Sequence, residues 1–128
     1  MSETGKNIIN AKFPKREKLT SKKTIEELFK KGSSAHSYPF LLKYTENSEG
    51  ACHQVLISVS KRNFKRAVDR NLLKRRIREA YRLNKYRIAD SELFLNIAII
   101  YIGKEIRNFQ EIESKLIKLI KRLPVNKN

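Results

Sequence analysis

Between Lys61 and Arg87 the chain places twelve basic side chains and only two acidic ones, Asp69 and Glu79, a local balance of +10 in a chain whose total is +16. If the segment is helical, an advance of about 100° per residue brings Arg70, Lys74, Arg75, Arg78, Arg82 and Lys85 within an arc of roughly 140°. Both acids fall outside that arc. Ion pairing within a helix wants Glu or Asp three or four residues from each base on the same face, so segregation of this kind points outward, to a polyanion. Arginine strengthens that reading, because its planar fork suits phosphate oxygens. Lys61, Arg62 and Arg66, just ahead of the helix, extend the positive surface. RNA is favoured over DNA only mildly. No zinc-finger spacing is present, and the segment lacks the preceding short helix and tight turn of a helix-turn-helix unit.

The residues that could do covalent or metal chemistry are sparse. Cys52 is the single cysteine, so an internal disulfide is impossible, and with His36 and His53 it makes no convincing metal-ligand set. Asp69, Glu79 and Asp90 are separated by basic or apolar residues, so no cluster of carboxylates and no nucleophile–base pair is apparent. Chemistry carried by the protein itself is not expected. The longest apolar run, Ile97 to Ile102, is far below the ~20 residues of a spanning helix, and Met1 to Lys12 has no apolar core like that of a signal peptide. A cytoplasmic protein with no membrane partner is the expectation.

The elements that must carry these residues follow from periodicity. Thr20 or Ser21 can cap a helix over 21–31 with Ile25, Leu28 and Phe29 on one face and Gly32 to end it. From Tyr38 to Tyr44, Tyr38, Phe40, Leu42 and Tyr44 alternate with Pro39, Leu41 and Lys43, an edge-like strand with one aromatic face. Val55, Ile57 and Val59 mark a second strand beyond the turn-prone residues 46–50, and the two strands read as a hairpin. A helix over 67–86 turns Leu73, Ile77, Ala80 and Tyr81 inward. The aliphatic run 93–102 predicts a central strand buried on both faces, and apolar spacing predicts a last helix over 108–123, before Pro124. The order helix, strand, strand, helix, strand, helix gives an α+β fold, a two-layer α/β sandwich with a small mixed or antiparallel sheet. Its 128 residues allow one domain, placed at 13–123, between a flexible basic tail at 1–12 and a short tail at 124–128.

Read as a string, Ser58-Val-Ser-Lys-Arg62, Ala67-Val-Asp-Arg-Asn71, Lys74-Arg75, Arg78-Glu79 and Tyr81-Arg82 resemble the signature segment of the bacterial ribonuclease P protein component family. Phe13, Glu17-Lys-Leu19, Leu28-Phe-Lys-Lys-Gly-Ser33 and Asn96 to Ile102 extend the likeness over about 13–122, in the expected order. Two departures stand out. The family's Arg-Asn-Arg triplet reads Arg70-Asn71-Leu72, leaving Arg66, Arg75 or Arg76 to compensate, and the stretch Asn63 to Arg66 is one residue longer than the common pattern.

The resemblance implies a left-handed βαβ crossover and a role as the protein subunit of ribonuclease P, a tRNA 5′-maturation endonuclease whose catalytic centre lies in the RNA subunit. Magnesium is implied for the holoenzyme through that RNA, with none held by protein side chains. Ribonuclease P RNA and precursor tRNA are the implied partners, and no obligate protein partner is implied. Lys61, Arg62, Arg66, Arg70, Asn71, Lys74, Arg75, Arg78 and Arg82 are the expected RNA-binding set, and Ile25, Phe29 and Lys43 the candidates for a cleft that grips the 5′ leader. A ribosomal or RNA-chaperone-like binding module would share the basic helix, and a protein-only nuclease is a third, less supported reading.

Overall fold

The computed structural model describes residues 13–48 and 50–124, so the expected tails at 1–12 and 125–128 lie outside the described residues. Helix α1 spans Lys22–Lys31. The Ser21 side chain accepts from Thr24 N at 3.3 Å, and Gly32 ends the helix by donating its N–H to Leu28 O at 2.9 Å. Any Cβ at Gly32 would collide with that same carbonyl, which is the local reason for glycine. Three strands follow, β1 (Ser33–Ser37), β2 (Phe40–Glu46) and β3 (Gln54–Val59); then come α2 (Ala67–Asn84), a 3-10 turn (Lys85–Ile88), β4 (Leu95–Tyr101) and α3 (Phe109–Ile120). Asn108 caps α3, its Oδ1 accepting from Glu111 N at 2.9 Å.

The sheet is mixed, in the order β1-β2-β4-β3. β4 is central, as its nearly continuous aliphatic run requires: it pairs antiparallel with β2 and parallel with β3. That placement overturns the expected hairpin between β2 and β3. Alternation in a sequence reports which face a side chain takes, not which strand lies alongside. A strand buried on both faces needs a neighbour at each edge, and β4 obtains both by entering between β2 and β3. The hairpin that does form is β1 with β2, from Ser33 opposite Tyr44 to Ser37 opposite Phe40. β1 therefore takes the edge, and Pro39 sits in the turn, not in a strand.

Helices α2 and α3 cover one face. Phe40, Leu42, Val55, Val59, Leu95, Ile97, Ile99 and Tyr101 meet Leu73, Ile77, Ala80, Tyr81, Ile112, Leu116, Leu119 and Ile120 in one cluster. Helix α1 lies on the opposite face, where Leu28 and Leu19 pack on Ala98 with Ile25, Leu56 and Ile100 at the margin. Ala98 is the smallest side chain of β4 and is fully buried, so it leaves the helix room to sit close. The short α1 covers only part of this face. Leu41, Lys43, Leu56, Ser58 and Ile100 stay partly exposed and form the floor of an open cleft.

His53 is a structural residue. Its ring is buried between two backbone partners, Nε2 with Ile88 O at 2.7 Å and Nδ1 accepting from Leu95 N at 3.0 Å. It thereby ties the start of β3 to the turn after α2 and to the start of β4.

Candidate nucleic-acid interface

The basic helix and the loop before it form one surface, but its cations have different tasks. The loop from Ser60 to Arg66 is held firmly. Phe64 is buried 6.0 Å from the Tyr101 ring, Phe64 N donates to Ser60 O at 3.1 Å, and Asn63 Nδ2 donates to Ile102 O at 3.3 Å. The loop is closed from the helix side by Arg70, whose Nη1 donates to Phe64 O at 2.8 Å and to Lys65 O at 3.0 Å. Lys61, Arg62 and Lys65 are thus displayed from a braced backbone, all three exposed.

Three of the expected contact residues are engaged within the protein. Arg70 is partly buried in its loop contacts. Arg66 pairs with Asp69 at 3.1 Å, and Arg82 pairs with Glu79 through Nη2 at 2.5 Å. The hydrogen bond from Arg82 holds the Glu79 carboxyl below its usual range, against a smaller opposing effect of burial. These pairs run i,i+3 from bases at the margins of the stripe. Lys74, Arg75 and Arg78 make no ion pair or side-chain hydrogen bond among the described residues. Asn71, Arg75 and Arg78 are exposed, and Lys74 half-buried. Of the three arginines near Leu72, Arg76 donates to Arg107 O at 2.5 Å and Arg66 is paired, so Arg75 alone presents an unengaged guanidinium.

The cleft candidates belong to α1 and to the sheet face that it packs on. Phe29 is 41% exposed and so is not core. Ile25, one turn earlier, packs half-buried against the Leu28 and Ala98 cluster. Lys43 stands opposite Ala98 in the β2–β4 register, on the face away from Phe40 and Leu42. A groove of about 900 Å3 is lined by Ile100 of the same floor together with Ser60, Lys61, Arg62, Ile102 and Lys104. Lys65 and Lys104 were not singled out by sequence reasoning. Lys65 stood inside the counted basic block, whereas Lys104 carried no signal, because only the position of the loop after β4 brings it beside Lys61.

Fold and surface together define a small α+β protein that presents unpaired cations on a helix and a braced loop, next to an open cleft with an exposed aromatic ring. A family model for ribonuclease P matches residues 13–124. The ribonuclease P protein component of Porphyromonas gingivalis is 35% identical over 118 residues, covering 88% of this chain and 86% of that protein, and that of Petrotoga mobilis is 30% identical over 113 residues, covering 87% and 94%. The solved structure of the Staphylococcus aureus RNase P protein aligns at a TM-score of 0.72 with 26% identity, covering 85% of this chain and 96% of that one. The RNase P protein from Thermotoga maritima aligns at 0.70 with 28% identity, covering 84% and 97%. The chain belongs to the ribonuclease P protein component family.

Proposed function

We propose that this chain works in tRNA 5′ processing by binding ribonuclease P RNA through Lys61, Arg62, Lys65, Lys74, Arg75 and Arg78, and the 5′ leader of precursor tRNA through the cleft of Ile25, Phe29 and Lys43. The observation that carries this reading is the unpaired cationic surface beside an open, partly aromatic cleft. Phosphate charge and stacking hold a strand of variable sequence without reading base edges, which is what a leader requires. Arg70 braces the loop, and Arg66 and Arg82 contribute charge while paired. Hydrolysis belongs to the RNA subunit and its magnesium ions, the protein supplying position and charge. No helix among the described residues is long and apolar enough to cross a membrane, and the protein works where its RNA is, in the cytoplasm.

Reconstitution with the cognate RNA tests the proposal. At physiological magnesium the protein should stimulate removal of the leader, and rigorously RNA-free protein should cleave nothing. Tight RNA binding without stimulation would favour the ribosomal or chaperone-like module instead.

A further inference from the structure

Tyr86 is 48% exposed, in the 3-10 turn Lys85–Ile88 that continues α2. On a helical projection it falls opposite the buried side of α2 and beside Arg75 and Arg82, as the next step of the four-residue spacing Lys74, Arg78, Arg82. The backbone of Asn84 and Lys85 keeps right-handed helical angles, so the spacing carries through the change of turn. An open aromatic residue thus stands at the end of the cationic stripe, about 12 Å along the axis from Arg78.

The ring has a fixed partner. The Arg87 guanidinium lies over it, 5.2 Å from the centroid. Arg87 Nε donates to Asn84 Oδ1 at 3.1 Å, and Asn84, buried, donates through Nδ2 to Ala80 O at 2.8 Å and to Glu113 Oε2 at 2.9 Å. A chain of contacts that begins on α3 and runs through a buried amide therefore sets the guanidinium, and the guanidinium sets the ring. At an exposed site such a contact adds little to stability. What it provides is a flat surface already ordered, so that a planar ligand can stack without further loss of side-chain freedom.

We propose that Tyr86, backed by Arg87, is a stacking platform for one unpaired nucleobase of an RNA strand whose phosphates lie along Arg75 and Arg78. Every base has a face to offer the ring, and purines have the larger one. The guanidinium behind the ring adds positive charge beside the same strand. The inference rests on the RNA-binding reading above and adds to it a base contact on the α2 side of the sheet, whereas the cleft residues belong to α1 and the opposite face.

The chain has no tryptophan, so Tyr86→Trp places a single reporter in the platform. Its fluorescence should fall when the full chain is titrated with an adenosine oligomer and stay level with an abasic oligomer of equal length at matched occupancy, because phosphates alone do not stack. Affinity gives a second reading. Tyr86→Ala and Tyr86→Leu should each bind the adenosine oligomer at least about 5-fold more weakly, the lower end for one stacked base, with the abasic oligomer unaffected and Tyr86→Phe equal to the parent. The losses should persist in a Phe29→Ala background, where that ring contributes no stacking. Equal quenching by the two oligomers, or none by either, overturns the proposal. Full affinity in Tyr86→Leu also overturns it, because the residue is then an apolar cover for Arg87. So does a Tyr86→Ala protein that melts lower and loses the same affinity for both oligomers, since the residue is then structural. When the Tyr86→Trp protein is reconstituted with ribonuclease P RNA and then given precursor tRNA, the step at which fluorescence falls names the source of the base; no fall at either step counts against the site. Stimulation of precursor cleavage and the salt dependence of RNA binding are read separately, so failure here leaves the RNA-binding reading and the subunit assignment standing.

Discussion

Arg70 offers the sharpest test of how the interface is built. Its two bonds to Phe64 O and Lys65 O come from one charged donor. A bond to a charged group contributes ~1.5–3 kcal/mol when well shielded. Phe64 O is partly buried and Lys65 O is exposed, so the pair together should be worth about 1–2 kcal/mol after allowance for solvent. At about 4 °C per kcal/mol for a domain of this size, Arg70→Ala should lower the melting temperature by ~4–8 °C. It should also weaken RNA binding beyond the loss of one charge, because Lys61, Arg62 and Lys65 then sit on a loop that must be ordered on binding, at ~1 kcal/mol per residue fixed. Arg75→Ala is the contrast. That side chain is exposed and makes no internal contact, so its loss should leave the melting curve in place and flatten the log–log salt dependence of single-strand binding by ~0.7 for one phosphate contact. The paired assay is a thermal melt with an RNA titration at several salt concentrations. If the two variants melt alike and lose the same affinity, the brace has no energetic meaning and Arg70 is one phosphate contact among several.

Two further outcomes are expected. Phe29→Ala removes a ring that is 41% exposed, so it should cost well under the ~3–5 kcal/mol of a fully buried phenylalanine; it should reduce affinity for leader-bearing precursor by up to ~1–3 kcal/mol per stacked base while mature tRNA binding holds, and equal losses for the two RNAs would remove Phe29 from the cleft. Burial lowers the His53 pKa from 6.5, outweighing the Ile88 contact and the Glu17 charge, and protonation would set an N–H against Leu95 N–H. The unfolded chain therefore binds the extra proton first as the pH falls below 6.5. Stability should be complete above that pH and decline below it, by up to ~1.4 kcal/mol per pH unit. Urea unfolding at pH 7.5 and 5.5 reads this, with His36→Ala retaining the decline and His53→Gln losing it; a flat profile in the parent protein is the refuting result.

Much of this architecture is legible in the sequence, and the failures have physical causes. The inward face of α2 is visible because Leu73, Ile77, Ala80 and Tyr81 recur at helical spacing, and the central place of β4 because seven consecutive residues, Leu95–Tyr101, offer no charged side chain to water. β1 escaped because Ser33-Ser-Ala-His-Ser37 has no β-branched or aromatic residue. Its strand state comes from pairing with β2, a tertiary effect that overrides propensity. The cations of the interface were identifiable by type and spacing, but their tasks were not. Arg70 and Arg75 look equivalent on a helical projection, and what separates them is a loop carbonyl six residues back in one case and open solvent in the other. The cleft depended on knowing that α1 crosses the sheet face opposite α2, which no local pattern encodes.

The place of β4 has a consequence for how the chain is assembled. The strand at the middle of the sheet is the last strand to be synthesised. Until residues 95–101 leave the ribosome, β3 has no partner strand, and β1 with β2 is an isolated two-stranded hairpin, marginal in water on its own. The parallel pairing of β3 with β4 then closes a loop of some forty residues, the kind of non-local contact that slows folding. Through that interval the apolar faces meant for β4 stand open, while the segment of α2, already synthesised, carries its cations into a cell full of RNA.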